Sequence, residues 1–250
     1  MKNNTSKPHV LILRDFERAE LLKKLLMNND INVIVEPVYK IHPLKFKNIN
    51  FIEYQALLVT SVNTIKILSE KVNIKQLKNI KTYCVGKVTE DHALKAGFNC
   101  IKTNAKSGIT LAKNVIKQSQ KNGKKVLLLG AEVLAYDPTK LFKESNLEFE
   151  KISIYKKIPF LHLSKKCLHF LENDNISNIV IYSPETARIF LSIAKNCTYE
   201  NITVTCLGNK TIEILEKYKW KKIQVVNNTE LNYEIKFNVK QIKLLRVSYK

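Results

Sequence analysis

At residues 83–89 the chain reads Tyr83-Cys84-Val85-Gly86-Lys87-Val88-Thr89, and 122 residues further on it reads Thr205-Cys206-Leu207-Gly208-Asn209-Lys210-Thr211. In both places a short run reaches a glycine, and a threonine follows three residues after it. An apolar run that stops at glycine before a more polar segment is typical of a strand, a tight turn and a helix. The chain therefore contains an internal repeat.

The repeat reaches back to the residues that precede each glycine. Thr60-Ser61-Val62-Asn63 corresponds to Tyr182-Ser183-Pro184-Glu185, and 25 residues separate the serine from the glycine in both copies. A second correspondence, at an offset of 116 residues, relates His9–Leu13 to Lys125–Leu129. We therefore predict that two similar halves of roughly 120 residues make up the chain.

Length and composition are those of a globular protein of one large or two ordinary domains, and the repeat favours two. The chain has 250 residues, of which 45% are hydrophobic, enough for a packed core in each domain. Its apolar runs fall short of the ~18 residues of a membrane span, and the start at Met1–Thr5 lacks the apolar segment of a signal peptide. We therefore expect a soluble, cytoplasmic protein.

The cysteines and histidines argue against a disulfide framework and against a metal centre. The five cysteines are odd in number and include no C-x-x-C pair, and the five histidines show no H-x-x-x-H spacing. Cys84 and Cys206 fall inside predicted strands, where a small buried thiol is a more common role than a reactive one. The prediction is that the chain binds no metal ion.

The formal net charge is +20, and two explanations stay open for it. Such a charge is expected of a protein with a nucleic-acid or other polyanionic partner. The positive charge is almost all lysine, however, because arginine occurs only at Arg14, Arg18, Arg188 and Arg246 in a chain that is also crowded with Asn and Ile. A compositional bias of that kind spreads lysine over every solvated face. The excess still suits an anionic ligand.

Strand-like and helix-like segments alternate along the chain. Val126–Leu129 and Ile179–Ile181 are apolar at every position, which is typical of strands buried on both faces, so we predict the α/β class with doubly wound parallel sheets. The predicted strands are 10–13, 31–35, 54–60, 82–86, 98–101, 125–129, 178–182, 203–207 and 223–226. The predicted helices are 19–26, 63–72, 89–96, 110–118, 138–143 (with Asp137 as its cap), 163–172, 184–194 and 211–218. The tail from Asn227 is given no element.

Two extended, proline-flanked segments indicate how the domains are joined. Pro37–Pro43 and Tyr155–Pro159 both suit connecting strands more than central strands. Consecutive domains need only one connection, so two similar connectors indicate that the chain leaves its first domain and later returns to it. The predicted domains are residues 1–37 together with 159–250, and residues 38–158.

Four hydroxyl groups stand where predicted strands give way to helices. Ser61 and Ser183 are placed as N-caps, and Thr89 and Thr211 follow the two turn glycines. A tight turn at a helix start directs backbone N–H groups and a hydroxyl outward, where they can bind an anion. Capping alone is the other interpretation of each residue, but capping does not require the same spacing twice. We therefore expect two anion-facing turns on one edge of each sheet.

The motifs of several enzyme classes are missing from the sequence. It contains no G-x-x-x-x-G-K-[ST], no G-x-G-x-x-G and no G-x-S-x-G. Nucleotide hydrolysis, a dinucleotide cofactor and a serine-hydrolase triad therefore lack their signatures. Carboxylates are not paired at the predicted strand ends, so little general acid–base machinery is visible.

Several segments share their order and spacing with one known family. They are Arg14 at the end of the first strand, Pro37-Val38-Tyr39, Thr60–Asn63, Tyr83–Thr89 with Gly97, Ile154-Tyr155, Tyr182-Ser183-Pro184 and Leu207–Thr211. Together they resemble the uroporphyrinogen-III synthase family over roughly residues 9–226. Each motif alone is weak, and the resemblance depends on their combination.

The resemblance implies a fold and a reaction. The fold would be two α/β domains joined by a two-stranded connector, the first built from both ends of the chain and the second inserted. In the reaction, hydroxymethylbilane, a linear tetrapyrrole with eight carboxylates, loses water and closes into uroporphyrinogen III with its last ring inverted. The chain would then be a cyclising lyase of tetrapyrrole (haem) biosynthesis that uses no metal and no organic cofactor.

The resemblance also assigns roles to particular residues. Tyr155 matches a tyrosine proposed to assist departure of the substrate hydroxyl, whereas Tyr39 is expected only to pack. The substrate-binding candidates are Arg14, Ser61, Lys87, Thr89, Ser183 and Thr211. Two segments depart from the family pattern, since Leu13-Arg14-Asp15 stands for Thr-Arg-Pro and Gly208-Asn209-Lys210-Thr211 stands for Gly-Pro-Thr-Thr.

A second class of function stays open at this point. The chain could be a non-catalytic two-domain anion-binding protein, or a basic RNA-binding protein. RNA binding favours aromatic residues interleaved with basic ones, and no such interleaving is visible in the sequence. The favoured interpretation is a monomeric synthase that binds its small-molecule substrate and neither nucleic acid nor membrane.

Overall fold

The computed structural model describes residues 9–120 and 123–226. The predictions about Met1–Thr5 and about the tail from Asn227 to Lys250 lie outside this part of the chain. Among the described helices, none combines the length and the apolar character that crossing a membrane requires.

Strands and helices alternate along most of the described residues, but two strands follow one another at residues 32–43 and two helices at residues 87–118. The strands are β1 (His9–Leu13), β2 (Asn32–Val35), β3 (Tyr39–Pro43), β4 (Tyr54–Val59), β5 (Lys81–Cys84), β6 (Lys125–Ala131), β7 (Phe149–Pro159), β8 (Ile176–Ile181), β9 (Thr203–Leu207) and β10 (Lys222–Val226). The helices are α1 (Phe16–Met27), α2 (Val62–Lys71), α3 (Lys87–Lys95), α4 (Gly108–Gln118), α5 (Thr139–Glu144), α6 (Lys165–Glu172), α7 (Pro184–Ile193) and α8 (Asn209–Leu215).

The described residues divide into two compact units. One unit holds the residues up to Lys40 and those from Pro159 onward, and the other holds Ile41–Ile158. The chain therefore passes from the first unit to the second within β3 and returns at the end of β7. The sequence analysis put the two boundaries after residues 37 and 158.

The first unit is built on a five-stranded sheet in the order β10-β9-β8-β1-β2, in which all neighbouring strands are parallel. The interior strand β1 is buried on both faces. Leu11 and Leu13 pack with residues of α6, α7 and α8, whereas Val10 and Ile12 pack with residues of α1. Helices therefore cover both faces of the sheet, which is why the sequence of β1 is a continuous apolar run.

The second unit has the sheet order β3-β7-β6-β4-β5, in which β7, β6, β4 and β5 are parallel. Leu57 and Leu127 face residues of α2 and α3, and Leu58 and Leu128 face residues of α4 and α5. Both units are thus parallel sheets with helices on two faces. The predicted α/β class with two doubly wound sheets is confirmed.

The two units share a core of four strands, which explains why the sequence repeat has two offsets. The order is β9-β8-β1-β2 in the first unit and β5-β4-β6-β7 in the second. Strands β4 and β5 correspond to β8 and β9 at the offset of 122 residues, and β1 and β2 correspond to β6 and β7 at the offset of 116. Equivalent strands follow one another in a different chain order in each unit. The repeated halves of the sequence are therefore not the structural units.

One predicted strand is wrong. Residues 98–101 form only an isolated bridge, between Cys100 and Thr82 of β5. The equivalent place in the first unit, beside β9, is occupied by the full strand β10. In the second unit the chain turns soon after the bridge, at Asn104, whose positive φ of 52° ends the extended run.

The helix α5 begins one residue later than predicted. Its N-cap is Pro138, and Asp137 lies outside the helix. The Asp137 carboxylate nevertheless accepts the N–H of Thr139 at 3.0 Å, and it lies 2.9 Å from the ammonium of Lys151. The Thr139 hydroxyl also donates to this carboxylate. Hydrogen bonds from that hydroxyl first, then from Lys151 and from the Thr139 N–H, lower the pKa of Asp137 to about 2.

A buried carboxylate ties together the two passages of chain that meet in the first unit. Glu36 follows β2, shortly before the chain leaves this unit, and Ser164 caps α6, shortly after the chain returns. The Glu36 carboxylate accepts the Ser164 N–H at 2.6 Å and the Ser164 hydroxyl at 2.7 Å. Bonds to a carboxylate are stronger than neutral ones, so this pair stabilises the discontinuous unit.

Candidate functional site

The two turn glycines have the same uncommon backbone conformation. Gly86 follows β5 with φ 75° and ψ 151°, and Gly208 follows β9 with φ 72° and ψ 156°. Residues with a side chain rarely adopt this combination. An added Cβ atom would meet nothing within 4 Å at either position. The backbone conformation, and not crowding, therefore requires glycine in both turns.

Each glycine is also the N-cap of the helix that follows it. Gly86 precedes α3 and Gly208 precedes α8, and neither helix has a side-chain cap. Four N–H groups at a helix start have no partner within the helix. Because glycine offers no side-chain acceptor, the first N–H groups of α3 and α8 receive no bond from a capping side chain.

Lys87 is the first residue of α3, and its side chain is exposed. Its ammonium lies 2.9 Å from the carboxylate of Asp91, one helical turn further on. This hydrogen bond raises the pKa of Lys87. Salt weakens a pair between exposed side chains, so an anionic ligand at the turn can replace Asp91 as the partner of the ammonium.

Ser61 and Ser183 are both helix N-caps, as predicted. The Ser61 hydroxyl accepts the N–H of Asn63 at 3.2 Å, and the Ser183 hydroxyl accepts the N–H of Thr186 at 3.1 Å. Ser61 follows β4, the neighbour of β5, and Ser183 follows β8, the neighbour of β9. Parallel neighbours end at the same edge, which is where such sheets bind ligands. Each unit therefore has one capping serine and one glycine turn at that edge.

The two threonines that follow the glycines differ in how their hydroxyls are used. Thr211 is 0% exposed, and its hydroxyl donates to the carbonyl of Leu207 at 2.8 Å. Thr89 is 7% exposed, and its hydroxyl forms no hydrogen bond with any described residue and is not shut off from solvent. The sequence treats the two residues as equivalent, but only the Thr89 hydroxyl is left to meet a ligand in this conformation.

Tyr155 has a buried ring and a hydroxyl that stays open. The residue is 3% exposed and packs in the core of the second unit. Within β7 it lies beside Ala131, the last residue of β6, and so at the same edge as Ser61. Its hydroxyl has no hydrogen-bond partner among the described residues, yet it is not one of the atoms cut off from solvent. A fixed ring with an open hydroxyl suits a hydrogen-bond donor to a ligand.

Arg14 directly follows β1, at the corresponding edge of the first unit. Its guanidinium carbon lies 4.1 Å from the centroid of the Tyr182 ring. Tyr182 directly follows β8, the strand next to β1. The cation is therefore stacked on an aromatic ring immediately beside the capping serine Ser183.

Tyr39 has more polar surroundings than a packing residue needs. Its ring contacts the core of the first unit, as expected, and burial raises the pKa of its hydroxyl. Smaller electrostatic effects on that hydroxyl come from Arg18, Glu185, Asp15 and Arg14. Burial is therefore the main cause of the raised pKa, and charged side chains of the first unit modify it.

Cys84 and Cys206 are buried beside the two glycine turns. Burial raises the pKa of Cys206 to about 11. The pKa of Cys84 is also raised, by a hydrogen bond with Cys100 and by burial. Both thiols therefore stay protonated at neutral pH, as expected of packing residues.

A sequence profile described as uroporphyrinogen-III synthase HemD matches residues 20–231 of the chain. The chain belongs to this family. It is also 26% identical, over 186 residues, to the porphyrin biosynthesis protein HemD of Ruminiclostridium josui. That match covers 72% of this chain and 37% of the other, so the chain spans little more than a third of its curated relative.

Two solved uroporphyrinogen-III synthases have a similar fold. The enzyme from Helicobacter pylori gives a TM-score of 0.65 at 16% identity, over 94% of this chain and 99% of the other. A mutant of the Thermus thermophilus enzyme gives 0.53 at 11% identity, over 93% and 98%. At such identities the likeness shows the fold alone, and it agrees with the architecture described above.

Sequence analysis identified the family and proposed Arg14 as a binding residue, but it missed the ring on which Arg14 stacks. Tyr182 entered it only as part of the motif around Ser183. The signal was present, because both residues directly follow strands that a parallel sheet brings side by side. The sequence gave no such signal for the charged groups that affect the pKa of Tyr39, since their effect depends on the tertiary structure.

Proposed function

We propose that this member of the uroporphyrinogen-III synthase family converts hydroxymethylbilane into uroporphyrinogen III, with loss of water and inversion of the last ring. The observation that carries the proposal is the matched pair of glycine turns, Gly86 and Gly208, with Ser61 and Ser183 at the adjoining strand ends. A protein that binds a ligand with eight carboxylates needs many hydrogen-bond donors and positive charges. Two equivalent sets of backbone donors, together with the excess of lysine, suit such a ligand.

The substrate-binding groups are proposed for each unit separately. In the second unit they are the turn before α3, the ammonium of Lys87, the hydroxyl of Thr89 and the strand end at Ser61. In the first unit they are the guanidinium of Arg14 and the strand end at Ser183. Thr211 contributes in a different way: its hydroxyl bonds to Leu207 and so holds the Gly208 turn in place.

Tyr155 is the proposed catalytic residue. When the bilane loses its hydroxyl as water, positive charge develops on the ring system that the hydroxyl leaves. A phenol that donates a hydrogen bond to the departing oxygen stabilises that charge separation. Because the last ring is inverted in the product, the cationic end first forms a carbon–carbon bond with the α-carbon of that ring which already carries the methylene bridge. The older bridge bond then breaks, its carbon bonds to the other α-carbon of the ring, and a proton is lost from that carbon as the macrocycle closes. Holding both ends of the chain in one orientation accounts for the rest of the acceleration.

The proposal includes the remaining properties expected from the sequence. The protein acts in the cytoplasm as a monomer, and its partner is the tetrapyrrole substrate rather than nucleic acid or a membrane. The proposed reaction uses neither a metal ion nor an organic cofactor, as the resemblance to the family implies.

Isomer analysis tests the proposal. The full chain is incubated with hydroxymethylbilane made in the same vessel by a bilane-forming enzyme, and the oxidised porphyrins are separated by chromatography. The proposal predicts mainly the type III isomer, whereas the reaction without the chain gives type I by spontaneous closure. Only type I in the presence of folded protein would contradict it and would favour a non-catalytic anion-binding protein.

A further inference from the structure

The contact between Arg14 and Tyr182 is built into the sheet of the first unit. Strands β1 and β8 are parallel neighbours, and the last pair in register is Leu13 with Ile181. Arg14 and Tyr182 are the next residues on the two strands, so both leave the sheet at the same point. The guanidinium carbon then lies 4.1 Å from the ring centroid, well inside the ~6 Å range of a cation–π contact.

The nearby Arg18 is held in a different way. Its side chain forms a loose pair with Asp15 at 3.8 Å, and both side chains are substantially exposed. A ring face also fixes the position of a guanidinium, and the group keeps its positive charge.

Positioning matters for an arginine because its side chain has many rotamers. Freezing them on binding costs free energy, and a ligand gains affinity when the protein has already restricted them. Stacking on a ring limits the guanidinium to one plane at the sheet edge. The planar fork can then bind a carboxylate in bidentate fashion.

We propose that Tyr182 is a positioning residue, which holds the guanidinium of Arg14 ready for a carboxylate of the substrate. The inference rests on the proposed function for the identity of that carboxylate. The stack itself does not depend on it. Tyr182 touches no reacting atom in this account, so its effect appears in substrate binding and acts only through Arg14.

Steady-state kinetics with four variants tests the link to substrate binding. Tyr182→Leu removes the ring and should raise KM about 3- to 30-fold at nearly unchanged kcat, equivalent to roughly 0.6–2 kcal/mol at 1.4 kcal/mol per factor of ten. Tyr182→Phe keeps the ring and should stay within about twofold of wild type. In an Arg14→Ala background, Tyr182→Leu should have almost no further effect. Tyr218→Leu, which removes an exposed tyrosine of the same unit, is the matched control.

Arginine side-chain NMR tests the stack without turnover. The sequence has only four arginines, so the Nε–H signals are few and Arg14→Ala identifies the one that matters. Ring current should move the Arg14 signal upfield in wild type and in Tyr182→Phe, and the shift should disappear in Tyr182→Leu. This measurement stays valid if Tyr182→Leu folds poorly, because wild type and Tyr182→Phe suffice to establish the stack.

Three results overturn the inference. They are an Arg14 signal without an upfield shift in wild type, an equal effect of Tyr182→Leu with and without Arg14, and a Tyr182→Leu enzyme with unchanged KM. A wild-type chain that forms only type I porphyrin would refute the proposed function instead, and the NMR result would still decide whether the ring positions the guanidinium.

Discussion

The two threonines after the turn glycines offer the sharpest prediction, because the sequence makes them equivalent and the structure separates them. Both are changed to valine, which keeps the branched shape and removes the hydroxyl. In Thr211→Val the carbonyl of Leu207 loses a partly buried hydrogen bond of 2.8 Å. Loss of such a hydrogen bond costs about 1–2 kcal/mol. For a protein of this size that corresponds to a drop of roughly 2–8 °C in melting temperature.

Thr89→Val should behave in the opposite way. The Thr89 hydroxyl bonds to no described residue, so its removal should change the free energy of unfolding by no more than about 0.5 kcal/mol. A hydrogen bond to a charged ligand group is worth about 1.5–3 kcal/mol. We therefore expect kcat/KM for type III formation to fall about 10- to 150-fold.

Each variant is measured by thermal denaturation and by initial rate per folded molecule. Wild type and the Thr89→Val/Thr211→Val double variant complete the set, and the two effects should add. The reasoning is refuted if Thr211→Val lowers activity with unchanged stability, or if Thr89→Val lowers stability with unchanged activity. The first result would mean that the Thr211 hydroxyl binds the ligand in solution, and the second that the Thr89 hydroxyl forms a structural hydrogen bond.

Three further predictions concern the hydroxyl of Tyr155, the hydrogen bonds between Glu36 and Ser164, and the chain topology. Tyr155→Phe should slow type III formation about 30- to 1000-fold with an unchanged circular dichroism spectrum. Tyr39→Phe, the matched control, should change the rate less than about threefold. Equal small effects of the two substitutions would show that the Tyr155 hydroxyl takes no part in catalysis. Glu36→Gln should lower the free energy of unfolding, measured by urea titration, by about 1–3 kcal/mol. An unchanged urea midpoint of unfolding would show that this carboxylate does not stabilise the first unit. A fragment of residues 38–158 should fold alone, whereas a stable fragment of residues 1–120 would argue for consecutive domains.

Much of the fold could be predicted because parallel strands with helices on both faces leave an unmistakable pattern. Apolar runs such as Val126–Leu129 are buried at every position, and glycine or a capping residue marks the turns between elements. The segment 98–101 failed for a tertiary reason, since local hydrophobicity cannot tell a paired strand from a single bridge that ends at Asn104. The order of strands also needed the structure, because a permuted repeat looks like a tandem one in sequence.

In the candidate site, too, some features could be predicted from the sequence and others could not. Positions at strand ends and helix starts follow from local patterns, and that is why Ser61, Gly86 and Arg14 could be singled out. Side-chain orientation does not follow from such patterns. Whether a threonine hydroxyl turns inward, as in Thr211, or stays open, as in Thr89, is decided by its rotamer and its neighbours. Contacts such as that between Arg14 and Tyr182 depend on which strands become neighbours.

The central claim is that this chain inverts the last ring of hydroxymethylbilane while closing it. The most direct measurement is the NMR spectrum of the oxidised porphyrin that forms when the folded chain is in excess over the bilane. Type I porphyrin has fourfold symmetry, so its bridging carbons are equivalent, whereas the type III isomer makes them distinct. The account predicts distinct bridging-carbon signals in most of the product. A product with equivalent bridging carbons, in the same yield as without the chain, would contradict it.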